Sequence, residues 1–531
     1  MPAADDRAVT LDRFVSLADV IRVHGRERPD KAALIYQQRT YAYAELDAAS
    51  NRIAQALLDL GVGREDCVAI LGKNAPIYFE LFFGACKLNA TTVGVNWRLA
   101  APEIEAILDD ATPHLLVVGE EFLGHLAKIK IDPACKIVVI GPAEAYESYA
   151  AWRDRFPPTD PAIEPDADAS VYQLYTSGTT GMPKGVQLTS KNVFAFAAAG
   201  TVEWRFDGDS VSFVALPLFH SAGSAWALIG LINGATNVLL REVACGEILR
   251  MISEHRVTNI FLVPAVIQML LAEPGAGDSD FSSMRAVAYG GSPISETVRQ
   301  ESMRRFACDF LQCYGFTEAT GAVSSLRAED QDPGGPRAKF LASAGRPWGD
   351  VEMRIVDPES LEDAPAGGAG EIWVRSAQIM KGYWRKPEAT AETFSEDGWY
   401  RTGDAGTLVD GFLFVHDRIK DMIISGGENI YPAEVENVLM QHVAVADSAV
   451  IGVPNDKWGE TAKAILVRAE GAQAKDHELI EFCRERLAAY KCPTSIVWCD
   501  SLPKTPSGKV QKAKLRKRYQ SSASEMEGPR Q

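Results

Sequence analysis

The segment Tyr175–Gly185, YTSGTTGMPKG, places four hydroxyl side chains (Thr176, Ser177, Thr179 and Thr180), the glycines Gly178 and Gly181, and Lys184 within eleven residues. Glycine admits close backbone approach, hydroxyls donate hydrogen bonds and an ammonium adds positive charge, a combination suited to a polyphosphate. It is not a Walker A loop, because Lys184 follows Pro183 and no helix-opening Gly-Lys-Ser/Thr is present. A Gly/Ser/Thr cluster alone is more often a plain surface loop. Three other groups carry chemistry. Glu318 lies in QCYGFTEATG (Gln312–Gly321), Asp404 in WYRTGD (Trp399–Asp404), and the stretch Lys504–Arg518 holds seven basic residues and no acid. Taken singly, these read as a solvated carboxylate, a turn cap and a solvated basic face.

The elements that must position these groups are legible. The apolar runs Val171–Leu174 and Val186–Leu188 flank the hydroxyl string and predict a strand–loop–strand hairpin. From about residue 40, helix and strand alternate: Leu46, Ile53, Leu57 and Leu60 share one helical face, Gly61 ends that helix, and Val68–Leu71 follows as a strand. Pro76 and Pro102 mark further helix starts, with strands at Leu115–Val118 and Ile137–Ile140. Such short, fully apolar strands imply a mostly parallel sheet covered on both faces. After about residue 340, alternating strands at Val351–Val356 and Glu371–Arg375, separated by turns such as Pro365–Gly368, predict a small antiparallel unit. Beyond Asp417 helix–strand units resume to residue 518, and the polar tail Gln520–Gln531 is expected to be disordered. The reading is an α/β protein in two domains. Residues 1–417 form a large N-terminal domain of parallel α/β sheets, with an antiparallel β subdomain at 340–417. A smaller, mobile α+β C-terminal domain spans 418–531, with a hinge near 417–420.

Composition limits the function classes. The net charge of −17 over 531 residues disfavours nucleic acid as a partner. With 47% hydrophobic and 24% charged residues the chain is globular rather than disordered, and its length requires at least two cores. Nine cysteines, an odd number with no Cys-x-x-Cys pair, argue against a disulfide framework or a zinc site, so a reducing cytoplasm is expected. The acidic start MPAADDRAVT is not an export signal. Ser210–Leu240 lacks Asp, Glu, Lys and Arg but is broken by Pro217, His220, Asn233 and glycines, which reads as buried core rather than a transmembrane segment. Peripheral membrane contact and oligomeric state, a homodimer included, stay open.

Joined by PLFHSAG (Pro217–Gly223), YGGSP (Tyr289–Pro293), DRIKDMIISGGENIYPAEVE (Asp417–Glu436), DKWGE (Asp456–Glu460), YKCP (Tyr490–Pro493) and LPKTPSGKVQK (Leu502–Lys512), these strings follow the order of the adenylate-forming enzyme superfamily. From about residue 15 to 518 the chain resembles its fatty-acid– and aryl-acid–CoA ligases. Cys313 departs from the family, in which glycine is common there. The resemblance implies a two-step ligase that uses ATP, Mg²⁺ and coenzyme A. It gives the ATP phosphates to Thr176, Ser177, Gly178, Thr179, Thr180, Gly181 and Lys184. The adenine falls to Tyr314, with Gly291, Ser292, Gln312, Gly315 and Thr317 around the nucleotide. Glu318 would hold the metal, Asp404 and Arg418 the ribose, and Lys509 the charge developing on the α-phosphate. His220 would gate the acyl pocket, lined by Trp226, Gly291 and Gly321. Ser425, Gly426 and Gly427 would line the pantetheine tunnel, Trp458 would stack on CoA adenine, and Lys420 would be the hinge.

Bland readings stand beside these: Tyr314 and Trp458 as packing, His220 as a structural histidine, and 425–427 as a turn. No acid falls between Ser210 and Leu240, where amino-acid-activating relatives place one for the substrate ammonium. The expected substrate is therefore an uncharged, apolar acid: a medium- or long-chain fatty acid first, then an aryl, hydroxycinnamate or fused-ring acid. The alternatives are an acyl-AMP ligase serving a separate carrier protein, a luciferase-like oxygenase, and a non-catalytic nucleotide or acyl binder.

Overall fold

A computed structural model describes the chain except residues 1–10, 143, 177–182, 278, 293, 295, 332–333, 426–427, 456, 505–509 and 521–531, and the side chains of Arg418, Lys420, Glu428, Asn429 and Gln520. Two compact units comprise residues 1–352 with 375–400, and residues 353–374 with 401–531.

The first unit is built on two large sheets. The strands Cys67–Leu71 and Leu115–Gly119 are apolar and buried at every residue, as strands covered on both faces must be. They belong to an eight-stranded sheet in the order 382–383, 184–189, 170–176, 91–94, 67–71, 115–119, 136–140, 147–148. Strands Ser170–Thr176 and Lys184–Thr189 pair antiparallel, which is the expected hairpin. A nine-stranded sheet runs 346–347, 322–326, 309–315, 286–290, 259–262, 211–214, 236–239, 32–36, 39–42, and the strands from 309–315 to 32–36 are all parallel. The helix Tyr43–Asp59 follows the expected apolar face and stops where Gly61 takes a φ of 75°, a conformation glycine adopts at no steric cost. The helix Ser221–Ile232 is apolar all round and buried from Gly223 onward, the signature of a core helix. Ser210–Leu240 is thus a strand–helix–strand of the core. No helix among the described residues is long and apolar enough to cross a membrane.

The second unit carries a four-stranded sheet, in the order Glu352–Val356, Gly370–Arg375, Tyr400–Val409, Phe412–Arg418, and a five-stranded one. The sequence pattern groups the first of these with the N-terminal domain, whereas its packing groups it with residues 401–531. In the five-stranded sheet the long hairpin Val445–Asn455 and Gly459–Arg468 is flanked by Ile423–Ser425 and by the parallel strand Ser495–Cys499. The tail from residue 521 lies outside the described residues. All nine cysteines are unpaired.

Candidate active site

The hydroxyl hairpin ends with Thr176 paired to Lys184, while Ser177, Gly178, Thr179, Thr180 and Gly181 lie outside the described residues. Lys184 opens the return strand, and its ammonium lies 4.8 Å from the centroid of the Tyr383 ring. Tyr383 arrives on the two-residue strand Gly382–Tyr383, opposite Val186 at the sheet edge. Its hydroxyl donates to Glu318 Oε1 at 3.0 Å. Lys184 and Glu318, far apart in sequence, therefore meet on one phenol. Sequence reasoning missed Tyr383, whose only signal is the string KGYW (Lys381–Trp384).

Glu318 is positioned by local backbone chemistry. The strand Asp309–Gly315 runs into a single 3₁₀ turn, Thr317–Ala319. The turn closes because Gly315 lacks a side chain: a Cβ there would lie 2.0 Å from the Gly321 carbonyl oxygen. Thr320 takes a left-handed φ of 64° and its hydroxyl donates to Gln378 O at 2.8 Å. Gln378 Nε2 in turn donates to Ala319 O at 2.8 Å and Ala322 O at 2.7 Å, and Met380 N–H donates to Glu318 O at 2.7 Å. These bonds offset the local strain of a non-glycine residue in that conformation. The carboxylate stands just past the C-terminal end of a strand in a parallel sheet, where such sheets bind ligands.

Strand alternation puts Gln312 and Tyr314, both half-buried, on one face and Cys313 on the other. The Tyr289 hydroxyl donates to Gln312 Oε1 at 3.3 Å. Gly291, with a φ of 85°, and Ser292 are exposed at the end of the neighbouring strand. Cys313 faces Trp204 and Ser325, and burial pushes its thiol up to about 12. Its departure from glycine therefore alters the packing beneath the strand and leaves the face of Tyr314 alone.

Of the residues expected to line the acyl pocket, His220 caps the N-terminus of the core helix, its carbonyl accepting from Gly223 N and Ser224 N. Trp226 is 3% exposed, its Nε1–H donating to Phe213 O at 3.1 Å. Gly321 abuts Phe196, whose ring a Cβ would meet at 2.5 Å.

In the second unit the buried Asp404 lies directly opposite Arg418 in an antiparallel ladder, with its N–H donating to Thr402 Oγ1 at 3.0 Å. Lys420 sits in the 3₁₀ turn Ile419–Asp421. The helix Lys512–Gln520 grips this turn. Lys512 Nζ lies 2.9 Å from Asp417 Oδ2 and 3.0 Å from Glu436 Oε1, and Arg516 pairs with Asp421. Burial alone would lower the Lys512 ammonium, but Glu436 and Asp417 hold it above its ordinary value. Burial pushes the Glu436 carboxyl up against the pull of Lys512. The chain just after the basic loop is thereby tied to the turn containing Lys420, while Lys509 itself lies outside the described residues. Ser425 pairs with Gly459, beside an exposed Trp458 whose ring carries the Lys457 ammonium at 4.6 Å from its centroid. Gly426 and Gly427 lie outside the described residues.

Among the described residues no group of three or more His, Cys, Asp or Glu side chains could hold a metal ion. Mg²⁺ does not require one, because it keeps its waters and takes one or two carboxylates together with substrate phosphates. Glu318, steadied by Tyr383 beside Lys184, fits that use.

A nucleotide-suited hairpin and carboxylate on a parallel α/β unit, followed by a smaller α+β unit with a basic loop, is the arrangement of adenylate-forming enzymes. The AMP-binding enzyme pattern matches residues 21–384 and that of the AMP-binding enzyme C-terminal domain residues 434–509, and the chain belongs to this family, within its acyl-CoA synthetases. It is an acid–thiol ligase. A fatty acid–[acyl-carrier-protein] ligase of Streptomyces coeruleorubidus is 40% identical over 512 residues, covering 95% of this chain and 96% of the relative. A feruloyl-CoA synthase of an Amycolatopsis species is 38% identical over 496 residues, covering 93% and 97%. The crystal structure of an anthranilate CoA ligase in complex with anthranoyl-AMP superimposes with a TM-score of 0.87 at 28% identity, covering 97% of this chain and all of that one.

Proposed function

We propose that this ligase activates an apolar carboxylic acid, fatty or aryl, and transfers it to coenzyme A. A substrate carboxylate oxygen attacks the α-phosphorus of ATP, the bond to the β-phosphate oxygen breaks, and pyrophosphate leaves. The CoA thiol then gives up its proton and attacks the acyl carbon, the bond to AMP breaks, and thioester and AMP depart. The convergence of Lys184 and Glu318 on Tyr383, at the mouth of the hydroxyl hairpin, is the observation that carries this reading. Thr176, Ser177, Gly178, Thr179, Thr180, Gly181 and Lys184 hold the phosphates. Tyr314 stacks on the adenine, within a frame of Gly291, Ser292, Gln312, Gly315 and Thr317. Asp404 and Arg418 take the ribose, and Glu318 takes Mg²⁺, which neutralises phosphate charge when bound. Lys509 serves the α-phosphate, and Ser425, Gly426, Gly427 and Trp458 serve CoA. Nine unpaired cysteines support a cytoplasmic location.

Fatty or aryl acids are expected to support ATP–pyrophosphate exchange, and amino acids are not, because the helix Ser221–Ile232 and its flanking strands supply no acid for an ammonium. Exchange with an amino acid alone would overturn the substrate reading. The acceptor is tested by acid-dependent AMP release with CoA against release with a phosphopantetheinylated carrier protein. The carrier-protein ligase among the relatives makes this the second reading. ATP binding without turnover in either arm would leave only the non-catalytic binder.

The hinge has its own test. Proline holds φ near about −65°, so Lys420→Pro is expected to slow thioester formation far more than adenylation in single-turnover experiments. Equal loss of both, in a folded variant, would remove Lys420 from that role.

A further inference from the structure

Gly321, one of the glycines expected in the acyl pocket, packs against a block of aromatic rings: a Cβ there would lie 2.5 Å from the Phe196 ring. Phe196 packs edge-on against Trp204 and Trp348, with ring centroids 5.7 and 5.6 Å apart. Trp204 lies 4.9 Å from Trp348 and 5.0 Å from Trp226, and Trp226 in turn lies 5.8 Å from Phe261 and 5.0 Å from Phe206. The three indoles are each 3% exposed or less. One of them is held by more than packing: Trp226 Nε1–H donates to Phe213 O at 3.1 Å. Interlocked rings at interior density move only if their neighbours move too, so this block does not part to admit a chain.

The opposite face of the same core helix is also closely packed. There the apolar cavity between Phe79, Phe82, Tyr172, Leu218 and Leu228 has a volume of about 20 Å³, room for one water-sized group.

We propose that Trp226, with Trp204, Phe196 and Phe261, forms the floor of the acyl pocket, and that the acid is compact: a short aliphatic or single-ring carboxylate whose apolar end stops at these rings. This rests on the ligase reading and replaces the expectation of a medium- or long-chain fatty acid with that of a short or single-ring acid. Specificity follows from shape, because a longer chain must displace an indole while the compact acid meets it in van der Waals contact.

The test is acid-dependent pyrophosphate release, with kcat/KM measured for straight-chain acids from butanoic to hexadecanoic and for benzoic and cinnamic acids. The best compact acid is expected to exceed hexadecanoic acid by about 10²-fold or more, the scale on which pocket shape discriminates apolar groups. Trp226→Ala is expected to move the optimum to longer chains and to lower kcat/KM for the compact acids. Phe261→Ala, at a half-buried ring, does the same with less disturbance of the core and serves if the first variant does not fold. Hexadecanoic acid preferred by the wild-type chain would overturn the inference while leaving the ligase intact. An unshifted optimum in both folded variants would overturn the assignment of the floor. Release with no acid of any length would overturn the ligase reading itself, and this inference with it.

Discussion

Lys509→Ala is expected to slow acyl-adenylate formation by about 10²–10³-fold, the scale on which removal of one preorganised donor to transition-state charge is felt. The lysine lies in Ser507-Gly508-Lys509, within a stretch of seven basic residues without an acid. Its proposed partner is charge that develops only while the α-phosphate is under attack, so the loss falls on the rate of that step and much less on ATP binding. Thioester formation from chemically made acyl-adenylate and CoA is expected to stay near the normal rate, since the C-terminal domain is proposed to have turned by then. Lys509→Arg is expected to rescue poorly, because a planar guanidinium does not reproduce a compact ammonium on a flexible stem. Paired single-turnover measurements, ATP plus acid in one and acyl-adenylate plus CoA in the other, check this. If Lys509→Ala slows both reactions alike, the proposed division of labour between the two steps fails.

Gly315→Ala is expected to damage both stability and adenylation through one methyl group. Its Cβ would lie 2.0 Å from Gly321 O and 2.5 Å from Ala322 Cα, so the backbone of the turn has to open. Overpacking of this kind costs about 1–3 kcal/mol. The same opening draws Glu318 away from Tyr383 and tilts Tyr314, and a misplacement of about 1 Å at a reacting centre costs about 10²-fold in rate. Gly124→Ala is the control, since a Cβ there meets nothing within 4 Å and the backbone is ordinary helix. Denaturant unfolding and ATP–pyrophosphate exchange on the two variants read the two effects. Wild-type exchange in Gly315→Ala would show that the turn does not position the carboxylate.

Much of the frame was legible in the sequence because it is set by local pattern. Apolar runs such as Val68–Leu71 and Leu115–Val118 can only be covered strands, and the runs flanking Tyr175–Gly185 can only return on themselves. Gly61 ends a helix whose apolar face has already run its course. The all-apolar stretch around Trp226 is broken too often to span a membrane. These inferences need no knowledge of which element lies beside which.

What remained hidden depends on that neighbourhood. Tyr383 carries no signal of its own, yet the edge pairing of Gly382–Tyr383 with Lys184–Thr189 brings its phenol between Lys184 and Glu318. The antiparallel strands Glu352–Val356 and Gly370–Arg375 read as part of the N-terminal domain because they follow it in the chain, but their packing joins them to the second unit, while the strands at 346–347 and 382–383 stay with the first. Lys512 reads as one more charge in a basic face, and only its approach to Asp417 and Glu436 makes it an anchor for the Lys420 turn. Trp226 reads only as one apolar residue of a core helix, whereas the rings packed around it, Trp204 with Phe196 and Phe261, come from segments that only packing brings together. By itself the sequence determined the elements, the order of the motifs and the type of chemistry, since each rests on residue type and short-range spacing. Only the tertiary structure decided which side chains lie together, because long-range contacts follow from sheet order and packing, which no local period encodes.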